Sequence, residues 1–78
     1  MKIEDIEKVV RDCLPDASAA VHPDAHLFDQ LGVDSVAFIQ LVVALEEAYD
    51  IAFRDEDLDR ENFTTPTAIL ALVKSYRQ

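Results

Sequence analysis

Apolar side chains recur at helical spacing in three stretches of the chain. In the first stretch they alternate with charged residues, and they are Ile3, Ile6, Val9, Val10, Cys13 and Leu14. This pattern is typical of an amphipathic helix. Pro15 should end the helix, because proline lacks a backbone N–H and clashes with the preceding turn.

The second stretch is apolar on nearly every side. From Val36 to Tyr49 the chain reads VAFIQLVVALEEAY, and its only strongly polar residues are Gln40, Glu46 and Glu47. Asp34 stands just before it, where a carboxylate can accept from the free amides of a first helical turn. We therefore expect a helix capped by Asp34, and its apolar surface predicts that the other helices pack against it.

The third stretch begins with a hydroxyl residue followed by a proline. Thr65 can cap a helix, and Pro66 suits the first helical position. Apolar residues then continue at helical spacing as Ile69, Leu70, Val73 and Tyr76. Before them, the charged segment of residues 54–63 predicts one or two short helical turns anchored by Leu58 and Phe63.

A long loop, residues 15–34, separates the first two helices. Its apolar residues Leu27, Phe28 and Leu31 should anchor it to the core. No stretch alternates apolar and polar residues long enough to predict a sheet. The sequence therefore predicts an all-α fold, a small bundle of three main helices plus a short helical turn, in one domain spanning residues 1–78.

Composition narrows the classes of function. Sixteen acidic residues against seven basic ones give a formal net charge of −9, which repels phosphate backbones and anionic lipids. We expect no nucleic acid or membrane partner. The charge suits either basic protein partners or simple solubility. No apolar run is long enough to span a bilayer, and the charged N-terminal segment is unlike a signal peptide, so we expect a cytoplasmic protein. We also expect a monomer, and 78 residues leave no room for a separate substrate domain.

Ser35, in the segment LGVDSV of residues 31–36, is the candidate for chemistry. Serine catalysis needs a general base, but the two histidines have no supporting motif and the segment does not match G-x-S-x-G. A helix N-terminus favours negative groups, so a phosphate ester on Ser35 would be well accommodated. The alternative is that Ser35 is merely a first-turn residue behind an aspartate cap.

The remaining polar clusters do not predict a metal site. His22 and His26 lie in HPDAH without a cysteine or a second ligand pair, so we interpret them as solvated loop histidines. The acidic run Asp55–Glu61 lacks the glycine of a calcium loop and is better explained as a solvated acidic face. Cys13, the only cysteine, excludes an internal disulfide and is expected in the core.

Residues 27–51, LFDQLGVDSVAFIQLVVALEEAYDI, resemble the modification site of the acyl and peptidyl carrier proteins. The later NFTTPTAILALV, residues 62–73, resembles the last helix of that family. The resemblance implies that Ser35 carries a 4′-phosphopantetheine arm whose thiol holds acyl or aminoacyl groups, and that the protein itself catalyses nothing. It also implies that Asp34 helps a phosphopantetheinyl transferase recognise the site, and that Leu31 and Gly32 form the turn that presents it.

The chain departs from fatty-acid-type carriers close to the serine. Those carriers generally have acidic residues two and five positions after it, where this chain has Ala37 and Gln40. At Val36 many relatives carry leucine or methionine. The resemblance therefore implies a partly apolar partner surface, with acidic residues only further along the helix. The expected surface residues are Val36, Ala37, Gln40, Val43, Glu46 and Glu47.

The same departures favour polyketide or nonribosomal peptide biosynthesis. The chain starts at a methionine and ends just past its last predicted helix, as expected of a discrete carrier. The resemblance implies loading by an acyltransferase or an adenylating ligase, and handover to a ketosynthase or another acyl-accepting enzyme. Two alternatives stay open: a fatty acid synthesis carrier, and an acidic helical interaction module that is never modified.

Overall fold

A computed structural model describes residues 1–14 and 20–77. Within these ranges the chain forms three α-helices and two short 3-10 helices, and no strand. The α-helices are α1 (Ile3–Asp12), α2 (Ser35–Tyr49) and α3 (Pro66–Tyr76), and the 3-10 helices are Asp55–Asp57 and Arg60–Phe63. The predicted all-α bundle is confirmed, and residues 20–34, the described part of the predicted loop, contain no helix.

Helix α1 is amphipathic as predicted, with Ile6 and Val10 buried. Its start is fixed by a bond that the pattern did not indicate, since the backbone N–H of Lys2 donates to Asp5 Oδ2 at 3.0 Å. The helix ends at Asp12, and Cys13 forms its C-cap. The predicted stop at Pro15 lies outside the described residues.

Helix α2 begins where Asp34 predicted it would. Asp34 Oδ1 accepts from the N–H of Ala37 at 2.8 Å and so caps the first turn. The expectation that the other helices pack against α2 is only partly right, because α1 packs more extensively on α3 than on α2. Helix α2 meets the second 3-10 helix through Phe38 and Phe63, whose ring centroids lie 5.2 Å apart.

Helix α3 begins at the predicted Thr65–Pro66 pair. Thr65 Oγ1 accepts from the N–H of Ala68 at 3.1 Å, and Pro66 occupies the first turn. Of the two predicted anchors between α2 and α3, Phe63 is fully buried, but Leu58 is 37% exposed. The prediction for Leu58 was wrong, because the first 3-10 helix has no buried residue and its segment lies on the surface.

Edge-to-face aromatic pairs connect the elements across the core. Phe28 in the loop contacts Phe38 of α2, with ring centroids 5.9 Å apart. The series continues from Phe38 to Phe63, then to Phe53 at 5.6 Å and from Phe53 to Tyr76 of α3 at 5.2 Å. Each such pair contributes about 0.5–1.5 kcal/mol beyond its area burial. These five rings therefore tie the loop, α2 and α3 into one core.

The described part of the long loop is fastened to the start of α3. The N–H of Leu27 donates to the carbonyl of Thr64 at 2.8 Å. The carbonyl of Pro23 accepts from both the N–H and the hydroxyl of Thr67, at 3.1 and 2.9 Å. Leu27 is fully buried, while Phe28 and Leu31 are half-buried, so the predicted apolar anchoring is confirmed. The chain that leads to Ser35 is thus held against the bundle.

Candidate functional site

A left-handed turn delivers the chain to the start of α2. Gly32 has φ +69°, a conformation that L-residues with side chains rarely adopt. A Cβ added there would meet nothing within 4 Å, so the requirement for glycine is conformational and not steric. Beyond it, Val33 is buried and donates its N–H to the Leu27 carbonyl at 3.0 Å. The turn therefore places Asp34 and Ser35 at the surface.

Ser35 is an exposed residue at the first position of α2. The first intrahelical bond runs from the N–H of Phe38 to the carbonyl of Asp34 at 2.8 Å, so the N–H groups of Ser35 and Val36 precede the helical ladder. The positive end of the helix dipole favours a nearby anion by about 0.3–1 kcal/mol at an exposed site. The position suits a phosphate ester on the serine hydroxyl.

Both histidines, His22 and His26, lie in the loop before α2. His22 is exposed. His26 is half-buried, and its Nδ1 accepts from the N–H of Asp29 at 3.2 Å. That bond gives His26 a structural role in the turn that follows it. The described residues bring together no group of three His, Cys, Asp or Glu side chains that could hold a metal ion.

The acidic run between α2 and α3 is partly used within the fold. Asp57 accepts a hydrogen bond from the hydroxyl of Tyr76 and lies 3.9 Å from the guanidinium of Arg54. Asp55, Glu56 and Glu61 are exposed. The interpretation of this run as a solvated acidic face therefore applies to most of it, but not to Asp57.

An apolar stripe extends along α2 from the serine. Val36, Ile39 and Val43 are 64%, 62% and 45% exposed, and we call these three residues the α2 stripe. A helix turns by roughly 100° per residue, so Gln40 and Glu47, both exposed, share its face. The structure thus brings together Val36, Gln40, Val43 and Glu47 of the predicted partner surface.

Two residues of the predicted partner surface lie elsewhere. Ala37 is only 7% exposed, because its position is turned by roughly 100° from Val36 toward the core. We therefore correct the predicted surface by leaving Ala37 out. Glu46 is half-buried, and its Oε2 accepts from the N–H of Phe53 at 2.8 Å. Its carboxylate is a structural acceptor within the fold.

Sequence reasoning missed Ile39 as a surface residue. Because apolar residues nearly encircle α2, periodicity alone did not show which of them face outward. The available signal was spacing, since Ile39 follows Val36 by one turn and precedes Val43 by another.

Within the ranges that the structure describes, no helix has the length and apolarity needed to cross a membrane.

Comparison with known proteins agrees with this geometry. Residues 4–73 match the family model described as a phosphopantetheine attachment site. An acyl carrier protein of Desulforapulum autotrophicum is 45% identical over 40 residues, which are 51% of this chain and 52% of that relative. An acyl carrier protein of Solidesulfovibrio magneticus is 37% identical over 54 residues, 69% of each chain. The match thus spans about half the length of the first relative.

The residues present fit the covalent group that the family model implies. Ser35 is an exposed residue at a capped helix N-terminus, where a phosphodiester on its hydroxyl is stabilised. Proteins of this kind are carriers and not catalysts, and their cofactor is covalently attached 4′-phosphopantetheine. On the family match, the two relatives and this geometry, the chain belongs to the acyl carrier protein family.

Proposed function

We propose that Ser35 is the attachment residue and that the protein carries acyl or aminoacyl groups in natural-product biosynthesis. The observation that carries the first part is the exposed position of Ser35 at the first residue of α2, directly behind the Asp34 cap. When attached, the arm supplies a thiol that holds the cargo as a thioester. The phosphodiester would lie beside the leading amides of α2.

The chain's own residues define this site. Ser35 Oγ would form the bond to phosphorus as the pyrophosphate bond of coenzyme A breaks and adenosine 3′,5′-bisphosphate leaves with the serine proton. Asp34 holds the first turn and Gly32 sets the direction of the preceding chain. Asp34 is exposed apart from its bond to Ala37, so its second carboxylate oxygen can meet a basic group of the phosphopantetheinyl transferase. We assign Asp34 both roles, cap and recognition.

Intact-mass spectrometry tests the attachment residue. The native chain and Ser35→Ala are each incubated with a promiscuous phosphopantetheinyl transferase and coenzyme A. We expect one added arm on the native chain and none on the variant. Circular dichroism of Ser35→Ala should show unchanged helix content, because the removed hydroxyl makes no packing contact in the core. A folded native chain that gains no mass would contradict the proposal and favour the unmodified interaction module.

Asp34→Asn separates the two roles of the aspartate. Asparagine caps helices about as well as aspartate, so the free energy of unfolding should change by only a few tenths of a kcal/mol. The loss of charge should nevertheless slow arm addition several-fold in an initial-rate assay. An unchanged rate would restrict Asp34 to capping.

The pathway assignment is supported by the α2 stripe. Partners that dock beside Ser35 meet apolar Val36, Ile39 and Val43 before they meet the carboxylate of Glu47. Electrostatic steering mainly raises association rates, whereas apolar contacts mainly slow dissociation. We therefore propose loading and acyl-accepting enzymes with a partly apolar docking face: an adenylating ligase or acyltransferase, and a ketosynthase or similar enzyme.

A fatty-acid ketosynthase distinguishes this pathway from fatty acid synthesis. The malonyl-loaded protein is offered to the enzyme beside a bacterial fatty-acid carrier, and we expect clearly lower turnover. Gln40→Glu, which adds a carboxylate on the exposed face, should raise that turnover. The matching change at Ala37 is unsuitable, because the buried position would not accept a charge. Turnover equal to that of the fatty-acid carrier would assign the protein to fatty acid synthesis.

Val43→Asp tests the docking surface. The change places a charge in the α2 stripe at a side chain that is 45% exposed, so it should leave the fold intact. We expect the phosphopantetheinyl transferase to have a higher KM for Val43→Asp than for the native chain. Ala71→Asp adds the same charge on the exposed face of α3 and is the matched control. Equal KM values for the two variants would exclude the stripe from this docking surface.

A further inference from the structure

A groove of about 290 Å³ opens between the end of α1 and the start of α2. It is lined by Cys13 and Leu14, which directly follow α1, and by Val36 and Gln40 of α2. Asp34 also lines it, so both chain neighbours of Ser35 border the groove. Any group attached to Ser35 therefore begins at the rim of this groove.

We propose that the groove holds the first neutral segment of the arm, the branched pantoyl unit and the amide next to it. This inference rests on Ser35 being the attachment residue. Because the arm is tethered at the rim, its effective concentration at the groove is of the order of millimolar, so weak contacts are enough to hold it. The covalent attachment at Ser35 is thus the reason to assign the groove to the arm.

The lining matches the chemistry of that segment. Leu14 and Val36 present apolar surface to the two methyl groups of the pantoyl unit. Burial, followed by the charge of Asp12, raises the pKa of the Cys13 thiol, which keeps this wall uncharged near neutral pH. Gln40 offers an amide that can donate to and accept from the amide of the arm.

Charge and size decide which part of the arm enters. The carboxylates of Asp12 and Asp34 both line the groove and repel the phosphate, so the phosphate stays at the rim near the helix amides. Pockets that enclose a whole drug-sized ligand measure about 300–1,000 Å³, and this groove is at the lower limit of that range. It holds part of the arm, and the thiol with its cargo extends beyond it.

Alkylation of Cys13 tests the proposal on the full chain. The transferase loads the arm from desulfo-coenzyme A, which lacks the terminal thiol, so that Cys13 is the only thiol in both forms. Intact mass confirms complete loading. The rate of reaction with N-ethylmaleimide is then measured from neutral to alkaline pH for the loaded and unloaded protein. We expect the plateau rate, where Cys13 is fully ionised, to fall several-fold on loading.

The plateau rate distinguishes shielding of Cys13 by the arm from the effect of the phosphate charge on the thiol. The phosphate charge alone would move the pH profile to higher pH without lowering its plateau, because it changes only the thiol pKa. In Gln40→Ala the loaded protein should regain much of the unloaded plateau rate, while Gln30→Ala, on the loop and outside this groove, should not. Failure of the arm to attach would contradict the assignment of Ser35 as the attachment residue. Complete loading with an unchanged plateau rate would overturn the groove proposal.

Discussion

The two ends of α2 are built differently. At its first residue α2 is held by one side-chain bond, from the N–H of Ala37 to Asp34, and Asp34, Ser35 and Val36 are exposed. At its last turn, residues 46–49, which we call the closed end, it is tied to distant parts of the chain. Glu46 accepts from the N–H of Phe53 at 2.8 Å, and the guanidinium of Arg77 donates to the Tyr49 carbonyl at 2.6 Å.

The segments that follow the closed end of α2 add further hydrogen bonds there. The hydroxyl of Tyr76 accepts from the N–H of Arg54 at 2.9 Å and donates to Asp57. Phe53 and Phe63 pack between these elements. Side-chain hydrogen bonds are therefore concentrated at the end of α2 that is remote from Ser35, whereas aromatic packing also reaches its first turn through Phe38. The end that bears Ser35 is left with exposed side chains for recognition, so changes there should affect function more than folding.

The largest expected effect is that of Phe63→Ala. Phe63 is fully buried and contacts both Phe38 and Phe53. Truncating a buried phenylalanine destabilises a protein by about 3–5 kcal/mol, and a domain of this size has little stability to spare. Urea unfolding should show this loss, whereas Val36→Ala, at 64% exposure, should change stability by less than about 0.5 kcal/mol. Similar losses for both variants would contradict the contrast between the buried aromatic core and the exposed surface beside Ser35.

Glu46→Ala should have an intermediate effect. It removes the acceptor of the Phe53 N–H and leaves that partly buried donor without a partner, at a cost of about 1–3 kcal/mol. Glu47→Ala is the matched control, because it removes the same charge from the adjacent exposed position. Thermal unfolding of the two variants measures the difference. Equal melting temperatures would show that the Glu46 bond does not stabilise the closed end.

Asp50→Gly should have the smallest effect, and it should be stabilising. Asp50 has φ 53° and ψ 52° at the C-cap of α2, a left-handed conformation that glycine adopts without strain. We expect a gain below about 1 kcal/mol in urea unfolding, because this conformation costs a residue with a Cβ roughly 1–2 kcal/mol and aspartate tolerates it better than most. Asp50→Asn removes the charge but keeps a side chain that tolerates this conformation, so it measures the part due to the helix dipole. A loss of stability in Asp50→Gly would show that the carboxylate is needed there.

Sequence reasoning succeeded where one residue determines a local geometry. Asp34, Thr65 and Pro66 each marked a helix start, because the capping oxygen or the missing N–H acts within a single turn. It was weaker where the answer depends on packing between distant segments. The outward position of Ile39 and the inward one of Ala37 follow from where α1 and the aromatic rings lie against α2. Spacing along α2 groups Ile39 with Val36 and Val43, but it does not show which side of the helix faces outward.

The same limit applied to the bonds around α2. The bond from Glu46 to Phe53 and that from Arg77 to Tyr49 join residues that come together only after the chain folds. The position of Ser35 was predictable, since it follows from the cap beside it. The groove beside Ser35 was not, because it requires the angle between α1 and α2.

The attachment of the loop to α3 has a consequence for hydrogen exchange. The amides of Leu27 and Thr67 donate to Thr64 and Pro23, so each crosses between the loop and the start of α3. An amide of this kind exchanges with deuterium only when its region opens, and amides that open together share one opening free energy. We therefore expect Leu27 and Thr67 to exchange at matching opening free energies, as a single cooperative unit that includes the approach to Ser35.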